Sequence, residues 1–248
     1  ASVIAQVTMA VISFVLLLKK TPISLRLSFT MHPEIPRLLN MIGNLFIRTI
    51  ALNVALYLAT SYATDYGKEF IAAYTISSNI WLLGAFMIDG YSSAGNILSG
   101  KLLGAKDYKN LVLLSNKLFK YGIVIGLIVA LLGFTFYNSI GRVFTNEALV
   151  LEQFYSIFWI VLITQPLNAL TFIYDGMFKG MGEMKYLRNL LILSTGFVFI
   201  PTLLLFDYLD YKLIAIWIAF TLWIVGRGLP LILKFRKKFI PLAKHQLE

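Results

Sequence analysis

The 248 residues contain no cysteine, which excludes disulfides and thiolate metal sites and leaves the redox compartment open. Charge is scarce: 14% of positions are Asp, Glu, Lys or Arg, against roughly a quarter in soluble domains. Acids are scarcer still, 12 against 22 basic residues, and the two histidines, His32 and His245, lie far apart. Neither a Walker loop nor an HExxH pair occurs, so nothing argues for ATP hydrolysis or a metal enzyme. No Pro/Ser-rich linker and no short repeat divides the chain. The N-terminus lacks the basic leading region of a signal peptide, because Lys19 and Lys20 follow its apolar run instead of preceding it.

What is abundant is apolar surface, 58% of all positions. It falls into seven runs: 2–18, 38–63, 71–98, 118–140, 151–178, 187–206 and 213–233. Each is long enough to cross about 30 Å of hydrocarbon, and too long for the strands of a soluble sheet. Lipid offers backbone groups no hydrogen-bond partner, so the runs must be helices. The expected fold class is all-α, a polytopic membrane helical bundle with seven transmembrane helices.

The net charge of +10 would suggest nucleic acid if it lay on one soluble face, but the charges fall between the apolar runs. Seventeen basic residues sit in, or within two residues of, the first, third and fifth connections and the C-terminal segment. Three, Lys68, Arg142 and Lys212, sit in the second, fourth and sixth. The positive-inside rule then predicts a cytoplasmic C-terminus and an extracytoplasmic start. The cluster Lys234-Phe235-Arg236-Lys237-Lys238 reads as a topology anchor within a basic tail, 234–248.

Apart from Lys120, Glu152 and Arg188, each within two residues of the start of its run, four charged side chains fall inside the runs: Arg48, Asp89, Asp175 and Arg227. A charge at mid-bilayer costs several kcal/mol unless paired or hydrated, which makes intramembrane charges functional candidates. At 1.5 Å per residue Arg48 lies about 15 Å along its helix and Asp89 about 18 Å from its basic end. At that depth the two can pair across adjacent helices, as a structural ion pair or as part of a coupling site. Asp175 lies within about 6 Å of the boundary marked by Lys179, although Pro166 and Gly176, Gly180 and Gly182 permit bending and close packing there. Arg227, between two glycines and near Lys234, is expected to extend to the headgroups. Gln165, Asn168 and Tyr174 share a run with Asp175, and Asn168 and Asp175, seven apart, share a helical face. Asn44 and Asn96 add uncharged polar groups to other runs. Gly122/Gly126 and Gly176/Gly180 have the small-xxx-small spacing of closely packed helices.

Three stretches together resemble the C-terminal half of a multidrug and toxic compound extrusion (MATE) transporter, and are most similar to its DNA-damage-inducible branch. The first is Gly43-Asn44-Leu45-Phe46-Ile47-Arg48-Thr49. The second is Ile88-Asp89-Gly90-Tyr91 with Ser99-Gly100-Lys101-Leu102-Leu103-Gly104-Ala105-Lys106-Asp107. The third, the most distinctive, runs from Gln165-Pro166-Leu167-Asn168 to Tyr174-Asp175-Gly176-Met177-Phe178-Lys179-Gly180-Met181-Gly182.

The resemblance makes 1–20 the last helix of a missing N-terminal lobe, 21–37 a cytoplasmic inter-lobe linker and 38–233 a six-helix lobe. It implies secondary active transport: efflux of drugs, organic cations or other amphipathic compounds by antiport against a proton or sodium ion, with no other cofactor. The implied surroundings are the lipid bilayer of a bacterial inner membrane, the absent lobe and small substrates. The implied pathway residues are Arg48, Asp89, Asp175, Asn168, Gln165, Tyr174, Asn44 and Asn96. Asn44 and Asn96 stand where relatives in the branch commonly carry acids. The alternatives are a lipid-linked precursor flippase of the same superfamily and a non-transporting truncated partner.

Overall fold

The computed structural model describes residues 2–20 and 33–246; most of the expected linker, with Arg26 and His32, lies outside them. Two compact units result, 1–39 and 40–248. The first contains α1 (Ser2–Lys20) and the first residues of α2 (Ile35–Asp65). The second contains the rest of α2, then α3 (Lys68–Gly104), α4 (Tyr108–Thr135), α5 (Tyr137–Phe144), α6 (Ala148–Ile163) and α7 (Gln165–Gly180). It closes with α8 (Met184–Ser194), a π-helical turn (Thr195–Phe199), α9 (Ile200–Tyr208) and α10 (Leu213–His245).

The chain is thus a bundle of apolar membrane-spanning helices. Among the described residues five spans are long and apolar enough to cross a bilayer: α2, α3, α4, the continuous segment Met184–Tyr208, and α10. The predicted fifth run is the pair α6–α7, bent by 51° and able to count as one further span. The first run is α1, a 19-residue helix. Residues 234–245, predicted as a tail, continue α10, and Phe235, Phe239 and Ala243 are buried.

Chemistry explains the breaks. Pro166 in the first turn of α7 supplies no N–H, so the helix interrupts at Thr164 and restarts with Asn168 N–H donating to the Thr164 carbonyl at 2.9 Å. Pro201 follows the π-helical turn in the same way. Gly182, at φ +77°, ends α7 in the left-handed region while the Glu183 N–H returns to the Phe178 carbonyl at 3.0 Å. Asp107 caps α4 by accepting from the Asn110 N–H at 3.1 Å, and the Asn110 side chain and amide hold its carboxyl below the usual range. At the start of α8, burial alone would raise Glu183. Lys238 and Lys234, at 2.9 and 3.0 Å, more than offset this and hold its carboxyl low, joining α8 to α10.

The interior forms two apolar cores. One gathers Ala55, Ala59 and Ala63 of α2 with Phe154, Phe158, Phe199, Trp217, Phe220 and Trp223. The other gathers Ile88, Leu118, Tyr174, Met177, Phe178, Phe235 and Phe239. On α2 and α10 the two cores meet at Arg48 and Arg227, each buried.

Small residues clamp α3 to α7. Gly176 lies against Ser92, and Gly180 against Asn96 and Ser99. The Ser92 and Ser99 hydroxyls donate across the seam to the carbonyls of Phe172 and Met177, at 2.8 and 2.9 Å. On the other side Gly122 and Gly126 of α4 admit Ile173 and Pro166 of α7, so both predicted glycine pairs pack helices. A Cβ at Gly180 would strike the Asn96 backbone carbonyl, which no rotamer change relieves. Gly180→Ala is therefore expected to destabilise the chain by about 1–3 kcal/mol, whereas Gly43→Ala, with no atom within 4 Å of the added methyl, leaves it unchanged or slightly steadier. Unfolding followed by circular dichroism in detergent checks the difference.

Candidate functional site

At the seam of α2, α7 and α10 one carboxylate meets three cations. Asp175 is 5% exposed. Arg48 donates from a single guanidinium nitrogen, Nη2, to both of its oxygens at 2.7 and 2.8 Å. Lys179, one turn on along α7, reaches Oδ2 at 2.8 Å. Arg227 Nη2 stands 3.7 Å from Oδ1, too long for a hydrogen bond but close enough for strong attraction.

Local structure aims each group. Asp175 and Lys179 share a face of α7, which the kink at Thr164 and the serine-glycine seam hold against α3. Gly228 lets α10 lie against Thr171, whose hydroxyl donates to the Ile224 carbonyl at 3.2 Å. Arg227 then stacks its guanidinium over the Trp223 ring, 4.6 Å from the centroid. The Trp223 N–H is tied to Thr195 Oγ1 at 3.0 Å, at the start of the π-helical turn. Such turns recur at functional positions in helices.

The sequence-predicted residues divide. Arg48 and Asp175 come together, whereas Asp89 lies on an exposed face of α3 and makes no ion pair among the described residues; the Arg48–Asp89 pairing that their depths allow does not form. The reason is that Ile88 takes the core-facing position on α3 and turns its neighbour outward. Asn168, Gln165 and Tyr174 are buried on α7 as expected. Tyr174 shares a hydrogen bond of 2.9 Å with Ser115 of α4. Both side-chain atoms of Asn168 and Oε1 of Gln165 have no hydrogen-bond partner among the described residues. Asn44 accepts from Arg188 Nη1 at 2.7 Å, tying α2 to α8. Asn96 is half-buried beside Gly180.

Two cluster members were missed in the sequence. Arg227 does not reach for headgroups; it is 4% exposed, because Gly228 brings α10 close to α7 and Gly226 brings it close to Ser194 and Val198. Lys179, counted only as a topology lysine, also reaches Asp175, and the signal was its spacing of four residues from an acid.

The bundle around the buried charge layer has the architecture of a polytopic membrane protein. Over 96% of its length the chain superposes, with a TM-score of 0.83 and 22% identity, on 54% of an outward-facing multidrug resistance MATE family transporter of the MOP superfamily. The MatE family model matches residues 45–204, and the chain belongs to that family. Among curated relatives it is 28% identical over 199 residues to Protein DETOXIFICATION 42 of Arabidopsis thaliana, covering 80% of this chain and 38% of that protein. It is 24% identical over 204 residues to DNA damage-inducible protein F of Escherichia coli strain K12, covering 81% and 43%. The chain therefore spans less than half the length of these two relatives.

The cluster predicts an order of stabilities. Asp175→Asn leaves three cations facing one another without their anion and is expected to cost about 3–5 kcal/mol. Arg48→Leu, which leaves Asp175 two other partners, costs less. Lys179→Leu, at a side chain one-third exposed, costs about 1 kcal/mol or below. Thermal unfolding in detergent, monitored by loss of helical signal, checks the ranking.

Proposed function

We propose that the chain is the C-terminal lobe of a secondary active transporter, in which the Arg48–Asp175 contact is exchanged for a coupling ion during the cycle. The observation that carries this reading is the buried carboxylate shared by α2, α7 and α10. In the apolar interior such a pair is strong while intact and costly when broken, which makes it a suitable latch.

The element it latches is α2. Most of its apolar length is exposed, and its polar ties to the bundle include Arg48–Asp175 and Asn44–Arg188. A proton or sodium ion arriving at Asp175 competes with Arg48, frees α2 from α7 and biases one of two access states. Asp89 on α3 and the polar groups Asn44, Asn96, Gln165, Asn168 and Tyr174 line the route. The partner in this scheme is an N-terminal lobe, and the exported compounds are small, amphipathic or cationic. The basic connections support an inner-membrane protein with its C-terminus in the cytoplasm.

A specific observation favours a second reading. One acid against three cations leaves two positive charges in excess, which suits the acidic headgroup of a lipid-linked precursor better than an organic cation.

Vesicles reconstituted with the transporter that contains this lobe distinguish the two. Under antiport, Asp175→Asn removes proton- or sodium-driven efflux of a cationic dye, and Asp89→Asn weakens it. If both variants transport normally at matched expression, the proposed site is wrong. Flux of a labelled acidic lipid in place of dye efflux supports the flippase reading instead.

A further inference from the structure

The basic cluster at the end of α10 is divided by the fold. Lys234 and Lys238 turn to Glu183 of α8. Arg236 turns the other way, onto α4, where its guanidinium lies 5.7 Å from the centre of the Phe119 ring. Lys120, the next residue of α4, is exposed, as is Lys117 one turn before it. None of these three cations makes an ion pair among the described residues. The acids nearest in sequence are engaged elsewhere: Glu183 holds Lys234 and Lys238, and Asp107 caps α4. Toward the chain terminus the seam between the two helices is closed. Phe239 stacks on Tyr108 at 6.2 Å, and Gln246 Oε1 accepts from the Tyr108 and Lys109 N–H groups at 3.0 and 3.2 Å.

In the other direction the exposed surface is apolar. From Tyr121 to Phe134 every exposed residue of α4 is aromatic or aliphatic, and on α10 up to Leu233 the exposed residues are Leu222, Leu229 and Leu233. The exposed face of α2 and α3 differs, because Thr49, Asn53, Asn79 and Asp89 lie on it. A wholly apolar face at membrane depth is one that hydrocarbon can solvate. Lys120 directly precedes Tyr121, and Arg236 lies about 4.5 Å beyond Leu233, so the cations of both helices stand where that face ends.

We infer that the α4–α10 seam holds one anionic phospholipid. Its phosphate sits at Arg236, Lys120 and Lys117, where the guanidinium fork matches phosphate oxygens. An acyl chain follows Leu233 and Leu229 of α10 beside Val124 and Ile128 of α4. Basic pockets between membrane helices suit such headgroups. The site uses no residue of the charge cluster and does not depend on the transport reading.

Native mass spectrometry tests this on the purified chain, released from neutral-detergent micelles at about 0.15 M salt. The micelles carry phosphatidylglycerol or phosphatidylcholine with the same acyl chains. The expected result is one phosphatidylglycerol retained per chain in preference to phosphatidylcholine. Arg236→Gln and Lys120→Gln each weaken retention about fivefold, the worth of one basic residue at a membrane surface. Lys109→Gln combined with Lys244→Gln removes two charges about 16 and 12 Å away along the same helices, beyond the screening length, and leaves retention unchanged. Unchanged helical circular dichroism shows that each variant is folded. Equal retention of the two lipids, an equal loss in the Lys109/Lys244 variant, or displacement of the lipid by millimolar inorganic phosphate would each overturn the assignment.

Discussion

The attraction between Asp175 and the three cations around it is the constraint from which the rest of the structure can be read. A lone carboxylate at this depth would be costly, and three lone cations more so. Together they form a compact layer between two apolar cores, and the surrounding backbone is shaped to bring them within reach. The break at Thr164 and the serine-glycine seam set α7 against α3. Gly228 sets α10 against α7. The Trp223–Thr195 bond at the π-helical turn fixes the ring on which Arg227 rests.

That layer also sets what is firm and what is loose. α7 is enclosed by α3, α4 and α10, with backbone carbonyls accepting from the Ser92 and Ser99 hydroxyls. α2 is held by buried alanines at one end and by polar ties nearer the other. A helix fastened at one end by charge responds there to anything that competes for that charge, which links the energetics of the fold to the proposed cycle.

Much of this was legible in the sequence. Apolar runs of about 20 residues can only be helices in lipid, and Pro166 marked the bend within the fifth run. The glycine pairs 122/126 and 176/180 foretold close packing because absence of a side chain is itself the signal. Partner choice was not legible. Arg48 and Asp89 lay at matching depth, but depth does not say which way a side chain turns, and Ile88 took the inward position on α3. Arg227 was assigned to the headgroups because sequence distance to Lys234 measures height along a helix and not the nearness of a neighbouring one.

The central claim is that Arg48 and Asp175 act as one energetic unit. A double-mutant cycle on unfolding in detergent, with Arg48→Gln, Asp175→Asn and both together, measures this directly. The account predicts that the double variant is more stable than Asp175→Asn alone, because removing Arg48 relieves the cation stranded by loss of its acid. Effects that simply add, to within about 0.5 kcal/mol, would contradict it.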